Sequence, residues 1–186
     1  MMLKNLVAHE KYCEERTVTC PFSGCNDLVK LRNYDVHSLG NHHSYLFNKS
    51  NNIMFDILEN DDVRRPNWRM GCFKALGEHF HVNLVYDAPS RCFILTLWIA
   101  KSQDVASKYT ANLVIEGDYN KLCFEGIQIC SVENVPSIDK CLGGSGKISL
   151  CLSKSLATNM SYDREDLGRG FLGIKYLNVE VSFKKI

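Results

Sequence analysis

Cys20, Cys25, His37 and His42 fall in the spacing C-x4-C-x11-H-x4-H near the start of the chain. Two thiolates and two imidazoles so spaced can close a tetrahedral cage around one Zn²⁺. Four protein ligands leave no open position for water or substrate, so such a site holds structure and does no chemistry of its own. His43 is an alternative to His42 as the last ligand. Four of the six His and three of the nine Cys lie in the first 43 residues, a concentration that scattered surface polar residues do not explain.

The elements around these residues must bring four donors to one point. The short step from Cys20 to Cys25 suits a tight turn that presents both sulfurs. The longer gap to His37 leaves room for a return strand and the start of a helix. His37 and His42 then stand about one helical turn apart on one face. Upstream, His9 and Cys13 form H-x3-C, the second half of a finger whose first Cys pair is missing from this sequence. They are weaker metal-ligand candidates.

After His43 the pattern changes to period two, the mark of strands. HFHVNLVYD alternates, with Phe80, Val82, Leu84 and Tyr86 on one face and His79, His81, Asn83 and Val85 on the other. The second set reads as a half-exposed strand face. CFILTLWIA is apolar on both faces and predicts a central strand covered on both sides. NNIMFDIL, ANLVIEG, KLCFEGIQIC, KISLCL and YLNVEVSF read as further strands, and SKSLATNM as a short helical turn. Seven or so short strands separated by Gly-rich turns predict a mostly β fold, an antiparallel sandwich. The organisation expected is a zinc-finger segment over 1–45 and a β-sandwich domain over 46–186.

Composition sets limits on function. The 186 residues carry a formal net charge of +1, which gives no broad attraction to nucleic acid or an acidic membrane. Asp27, Lys30, Arg32 and Asp35 cancel along the finger, so it lacks the basic face that reads DNA. No apolar run is long enough to span a bilayer, and the first ten residues lack the apolar core of a secretory signal. Several of the nine Cys sit in apolar strand-like runs, where reduced Cys acts as a small hydrophobe. Together with a zinc cage they point to a reducing compartment, cytoplasmic or nuclear. No nucleophile with its base, paired carboxylates or open metal site is legible. GGSGK at 143–147 lacks the spacing of a phosphate loop.

The order of motifs resembles the seven-in-absentia (Siah/Sina) family of ubiquitin ligases. AHEKYC is similar to the end of that family's first zinc finger, and the C-x4-C-x11-H-x4-H run to its second. IMFDILENDDVRRPNW resembles the stretch opening the family's substrate-binding domain, and MGCF, HFHVNLVYD, ILTLWIAKSQDVASKYTANLVIEG and FLGIKYLNVEVSF resemble the segments that follow. The resemblance implies a TRAF-C-like antiparallel β-sandwich that forms a homodimer or heterodimer. It also implies a protein or peptide partner: an extended degron bound along a sheet edge, with a RING domain outside this chain recruiting the ubiquitin-charged enzyme. Ile53, Phe55, Ile57, Trp68 and Met70 would line the groove, with Trp68 and Met70 as anchors. Asp56 and Pro66 depart from the family pattern. Glu59, Asp61 and Asp62 beside Arg64 and Arg65 make this edge more charged, which suits a partner with charged flanks. The second expectation is a non-catalytic dimerising scaffold.

Overall fold

The computed structural model describes residues 9–10, 13–21, 25, 27–42, 45–47, 52–58, 68–87, 90–117, 120–135, 149–163 and 174–186; at 45–47, 56–58, 68–70, 149, 162–163 and 174–176 it describes the backbone alone. In chain order the elements are β1 (Thr17–Thr19), β2 (Leu28–Lys30), α1 (Tyr34–Asn41), β3 (Tyr45–Phe47), β4 (Asn52–Leu58), β5 (Trp68–Ala75), β6 (Glu78–Asp87), β7 (Cys92–Ile99), α2 (Gln103–Ala106), β8 (Tyr109–Glu116), β9 (Lys121–Gln128), β10 (Cys130–Ser131), β11 (Ser149–Ser153), α3 (Lys154–Asn159), β12 (Tyr162–Asp163) and β13 (Ile174–Lys185).

Two larger sheets make up the body. In the first, β3, β5, β6 and β7 lie side by side, and β7 carries β11 and β10 on its far edge. In the second, β4 pairs with β13, which pairs with β8 and β12, and β9 closes the far side against β8. Most pairings are antiparallel; β3 runs parallel to β5, and β10 parallel to β7. The mostly β expectation is met. The alternation that marked the strands explains the core. Phe73 from β5, Phe80, Val82 and Leu84 from β6, and Phe93, Leu95 and Leu97 from β7 meet Leu113, Ile115, Leu177, Val179 and Val181 of the other sheet. Phe80 stacks on Phe183 at 4.1 Å and meets Tyr109 edge-on at 5.3 Å. β7 is the central, doubly covered strand its composition predicts.

The β5–β6 hairpin turns through Leu76 and Gly77, both at positive φ, 53° and 81°. Two consecutive left-handed residues match the twist of the flanking strands. Gly77 adopts this geometry without penalty, whereas Leu76 is held there by the strands on either side.

None of the cysteines among the described residues is in a disulfide. Burial, with help from the Asp35 charge, pushes the Cys72 thiol up to about 12, so it stays protonated and unreactive at neutral pH. Exposed Cys123 and Cys151 are expected to react with iodoacetamide in minutes at pH 8, and Cys72 only on unfolding. Mass mapping of the alkylated peptides checks this. The same shift sets a pH trend. The unfolded thiol ionises near 9.0 and the folded one near 12, so this group lowers stability as pH rises above 9 and has no effect below.

Candidate metal centre and docking interface

β1 and β2 form a short antiparallel hairpin, with Thr17 opposite Lys30 and Thr19 opposite Leu28. The Cys20 N–H donates to the Asp27 carbonyl at 3.0 Å, extending the pairing beyond Thr19 and Leu28. A single 3-10 turn over Leu31–Asn33 leads into α1. His37 lies within α1 and His42 caps its C-terminus, where its N–H donates to the Ser38 carbonyl. The return strand and helix are those the ligand spacing predicts; the turn between Cys20 and Cys25 lies outside the described residues.

The structure gathers Cys20, Cys25, His37 and His42 so that one ligand atom from each lies within 4.8 Å of all the others. Cys20 Sγ is 3.3 Å from His42 Nε2, Cys25 Sγ is 3.6 Å from His37 Nε2, and the two Nε2 atoms are 3.0 Å apart. Zn–S and Zn–N bonds of usual length give a tetrahedron with edges of about 3.3–3.8 Å. The observed separations lie close to those edges. Two sulfurs and two imidazole nitrogens converge, and Cys20 is buried at 3% exposure. This donor set could hold a metal ion. On the outer side of His37, Nδ1 lies 3.1 Å from the Asn41 amide and 3.8 Å from Asp27 Oδ2. Such a partner on the second ring nitrogen orients a ligating imidazole.

The remaining sequence-predicted residues divide into four groups. His43 lies outside the described residues. His9 is exposed and Cys13 part-buried, and no second group of three or more potential ligands forms among the described residues. Ile53 and Phe55 are core residues, 3% and 0% exposed. This corrects their place as side chains lining a groove: β4 alternates, and these two face the opposite sheet. The backbone of Ile57, Trp68 and Met70 lies in β4 and β5, but their side chains are outside the described residues.

A feature that sequence reasoning missed is the way the small segment docks on the body. Val18, Cys20, Val29, Leu31 and Tyr34 share a second core with Trp98, Ala100, Cys130 and Val132. The outer face of the first sheet is thus covered. His81, Asn83 and Val85, read from sequence as half-exposed, are 0%, 3% and 3% exposed. At His81 the cause is α1, whose Tyr34, Asp35 and Ser38 pack against the ring. Asp35 accepts from His79 Nδ1 at 2.7 Å and from His81 Nε2 at 3.1 Å. His81 stacks on Trp98 at 5.6 Å and meets Tyr34 edge-on at 5.4 Å. Burial raises the Asp35 carboxyl, but the hydrogen bonds and charge of His81 and His79 outweigh it and hold the group below its usual value. Burial and the neighbouring Cys20 sulfur push the Tyr34 hydroxyl well up.

Ser38 Oγ lies 3.5 Å from His81 Nδ1, so serine, histidine and aspartate stand in the order of a hydrolase triad. Ser38 and His81 are both 0% exposed. No substrate reaches them, and the contact at 3.5 Å is long for proton transfer. This network fastens the segment to the sheet. Only its polar alternation was visible in sequence; the partner across 44 to 46 residues was not.

No protein-family model matches the chain, and no curated protein matches it. Among the described residues no helix is long and apolar enough to cross a membrane.

Proposed function

We propose that this chain is a zinc-stapled protein-interaction module of the seven-in-absentia type, working in the cytoplasm or nucleus. Cys20, Cys25, His37 and His42 hold one Zn²⁺, whose role is to fix the segment that caps the first sheet. The body captures an extended peptide of a partner protein and presents it for ubiquitination by a RING supplied outside these residues.

One observation carries this reading. Among the described residues, the outer edge of β4 has no strand partner, and β3 covers β5 only at 71–73, leaving 68–70 bare. These two edges belong to opposite sheets, and β4 and β5 contact each other. An open edge offers N–H and C=O groups to an added strand, and side chains between the sheets supply selectivity. Trp68 and Met70 sit on the bare stretch and serve as anchors. The backbone of 53–57 supplies the ladder, while the side chains of Ile53 and Phe55 serve the core.

The test has two parts. Elemental analysis of purified protein is expected to find one zinc per chain. Partners captured by the native chain are expected to bind Trp68→Ala at least about tenfold more weakly, the loss typical of an aromatic anchor, while the variant melts as the native chain does. Equal binding by a folded Trp68→Ala overturns the groove, and metal-free native protein overturns the staple.

A further inference from the structure

Where β6 gives way to β7, Arg91 sits at φ 51°, a left-handed position that Gly or Asn would fill at lower cost. It is held there because its carbonyl accepts the Lys154 N–H at 2.8 Å, which ties this turn to the start of α3. Arg91 is exposed, and its guanidinium has no ion pair or hydrogen bond among the described residues. By contrast, Arg16, Lys30, Arg32, Lys101 and Lys121 each meet a carboxylate. Residues held in sparsely populated backbone conformations cluster at ligand sites, and here the strained residue presents an unpaired cation.

An open cleft of about 610 Å³ lies beside it, walled by Arg91, by Ser153 at the end of β11, and by Lys154, Ser155, Thr158 and Asn159 of α3. Two of these side chains are cationic and the others offer hydroxyls or an amide; among the described residues no carboxylate lines the cleft. Lys154 reaches across the Tyr86 ring, its Nζ 5.8 Å from the centroid, which limits its swing. Ser153 Oγ and Ser155 Oγ lie 3.2 Å apart, and Ser153 Oγ also accepts the Leu156 N–H at 3.3 Å. One hydroxyl hydrogen of this pair lies between the two oxygens, so the other is left to donate outward. Ser90 also lines the cleft, and its hydroxyl donates to Asp87 Oδ2. That carboxylate is buried, 5% exposed, and is not part of the wall.

This set of donors calls for a compact anion of high charge. A guanidinium supplies two N–H donors in a fork that matches two phosphate oxygens, an ammonium adds a point charge, and a hydroxyl donates to a third oxygen. A cleft of this volume lies in the range of sites that hold whole small molecules, so it also admits the organic group that a phosphate carries. We propose that this cleft binds a phosphate monoester, held by Arg91 and Lys154 together with the Ser153 and Ser155 hydroxyls. The site stands apart from the β4 edge and from the metal centre, and depends on neither.

Amide NMR of the full chain, titrated with blocked phosphoserine and with adenosine monophosphate, tests this. Both probes are expected to move the backbone amides of 90–91 and 153–159, and blocked serine and adenosine to bind at least about tenfold more weakly. Tighter binding of phosphoserine supports the site with a phosphorylated side chain as its source; tighter binding of the nucleotide supports it with a free small molecule. Arg91→Asn removes the guanidinium at a position where Asn takes the left-handed backbone readily. It is expected to melt no lower than the native chain and to weaken both probes about tenfold or more. Arg91→Lys keeps the charge without the fork and is expected to fall between the two. Cleft amides that do not move at millimolar probe overturn the proposal. So does equal binding of blocked phosphoserine and blocked serine, or a folded Arg91→Asn that binds as tightly as the native chain.

Discussion

A zinc chelator at neutral pH is expected to melt the segment over 14–42 while the sandwich stays folded. The segment is too short to bury a core of its own. It contributes Val18, Cys20, Val29, Leu31 and Tyr34 to a core it shares with the body. Structural zinc in such a piece is worth on the order of 10 kcal/mol of apparent binding energy, more than a few buried side chains return against the entropy of ordering the chain. The sandwich keeps its separate core between the two large sheets.

Hydrogen exchange is expected to lose protection in β1, β2 and α1 and retain it in β8 and β13. Trp98, 1% exposed when the segment is docked, becomes wet. In a Trp68→Phe background its fluorescence should shift to the red on chelation and recover when zinc is restored. Cys20→Ala should behave as the chelated protein does. Loss of protection in β8 and β13 at the same chelator concentration would mean that the two cores melt as one. No spectral change would mean that the metal does not hold the segment.

Replacing His81 by Ala is expected to destabilise the protein by about 2–4 kcal/mol, through lost packing on Trp98 and Tyr34 and loss of the buried one of two histidine donors to the Asp35 carboxylate. Asp35→Ala should cost about 1–3 kcal/mol. The two should not add, because each removes the same hydrogen bond, and a double-mutant cycle should return a coupling of about 1 kcal/mol or more. His81→Phe keeps a ring against Trp98 but removes that donor to the carboxylate, so it separates packing from hydrogen bonding. His79→Ala, at a side chain 28% exposed, should cost under about 1 kcal/mol. Urea melts at pH 7 in saturating zinc measure all five, the double variant included. A loss below about 1 kcal/mol for His81→Ala would contradict a fastening role for this network.

These two results concern features of different legibility. The candidate metal centre was readable because its information is local: fixed short spacings bring four ligands of two types to one point. The strands were readable because alternation records which face is buried. Alternation does not record what covers the opposite face. His81 and Asn83 are polar, so the outer face of β6 read as wet, and the residue that accepts from His81 lies 46 positions away. Nothing in Asp35 itself, one of two aspartates on a neutral finger, announced that it would clamp two histidines. Ile53 and Phe55 were recognised as strand residues, but the line between a groove wall and a core is drawn by the facing sheet. The parallel pairing of β3 with β5 likewise had no local signal, because it depends on where the connection to β4 crosses between sheets.

Twelve consecutive residues of β13, Ile174–Lys185, run between β4 on one side and β8 and β12 on the other. During translation every one of those neighbours leaves the ribosome first. The second sheet therefore waits for its middle member with β4 and β8 held apart, and the greasy inner side of the first sheet stays uncovered for the seconds that synthesis of the intervening stretch requires. A nascent chain of this design calls for chaperone protection until that late strand slots home.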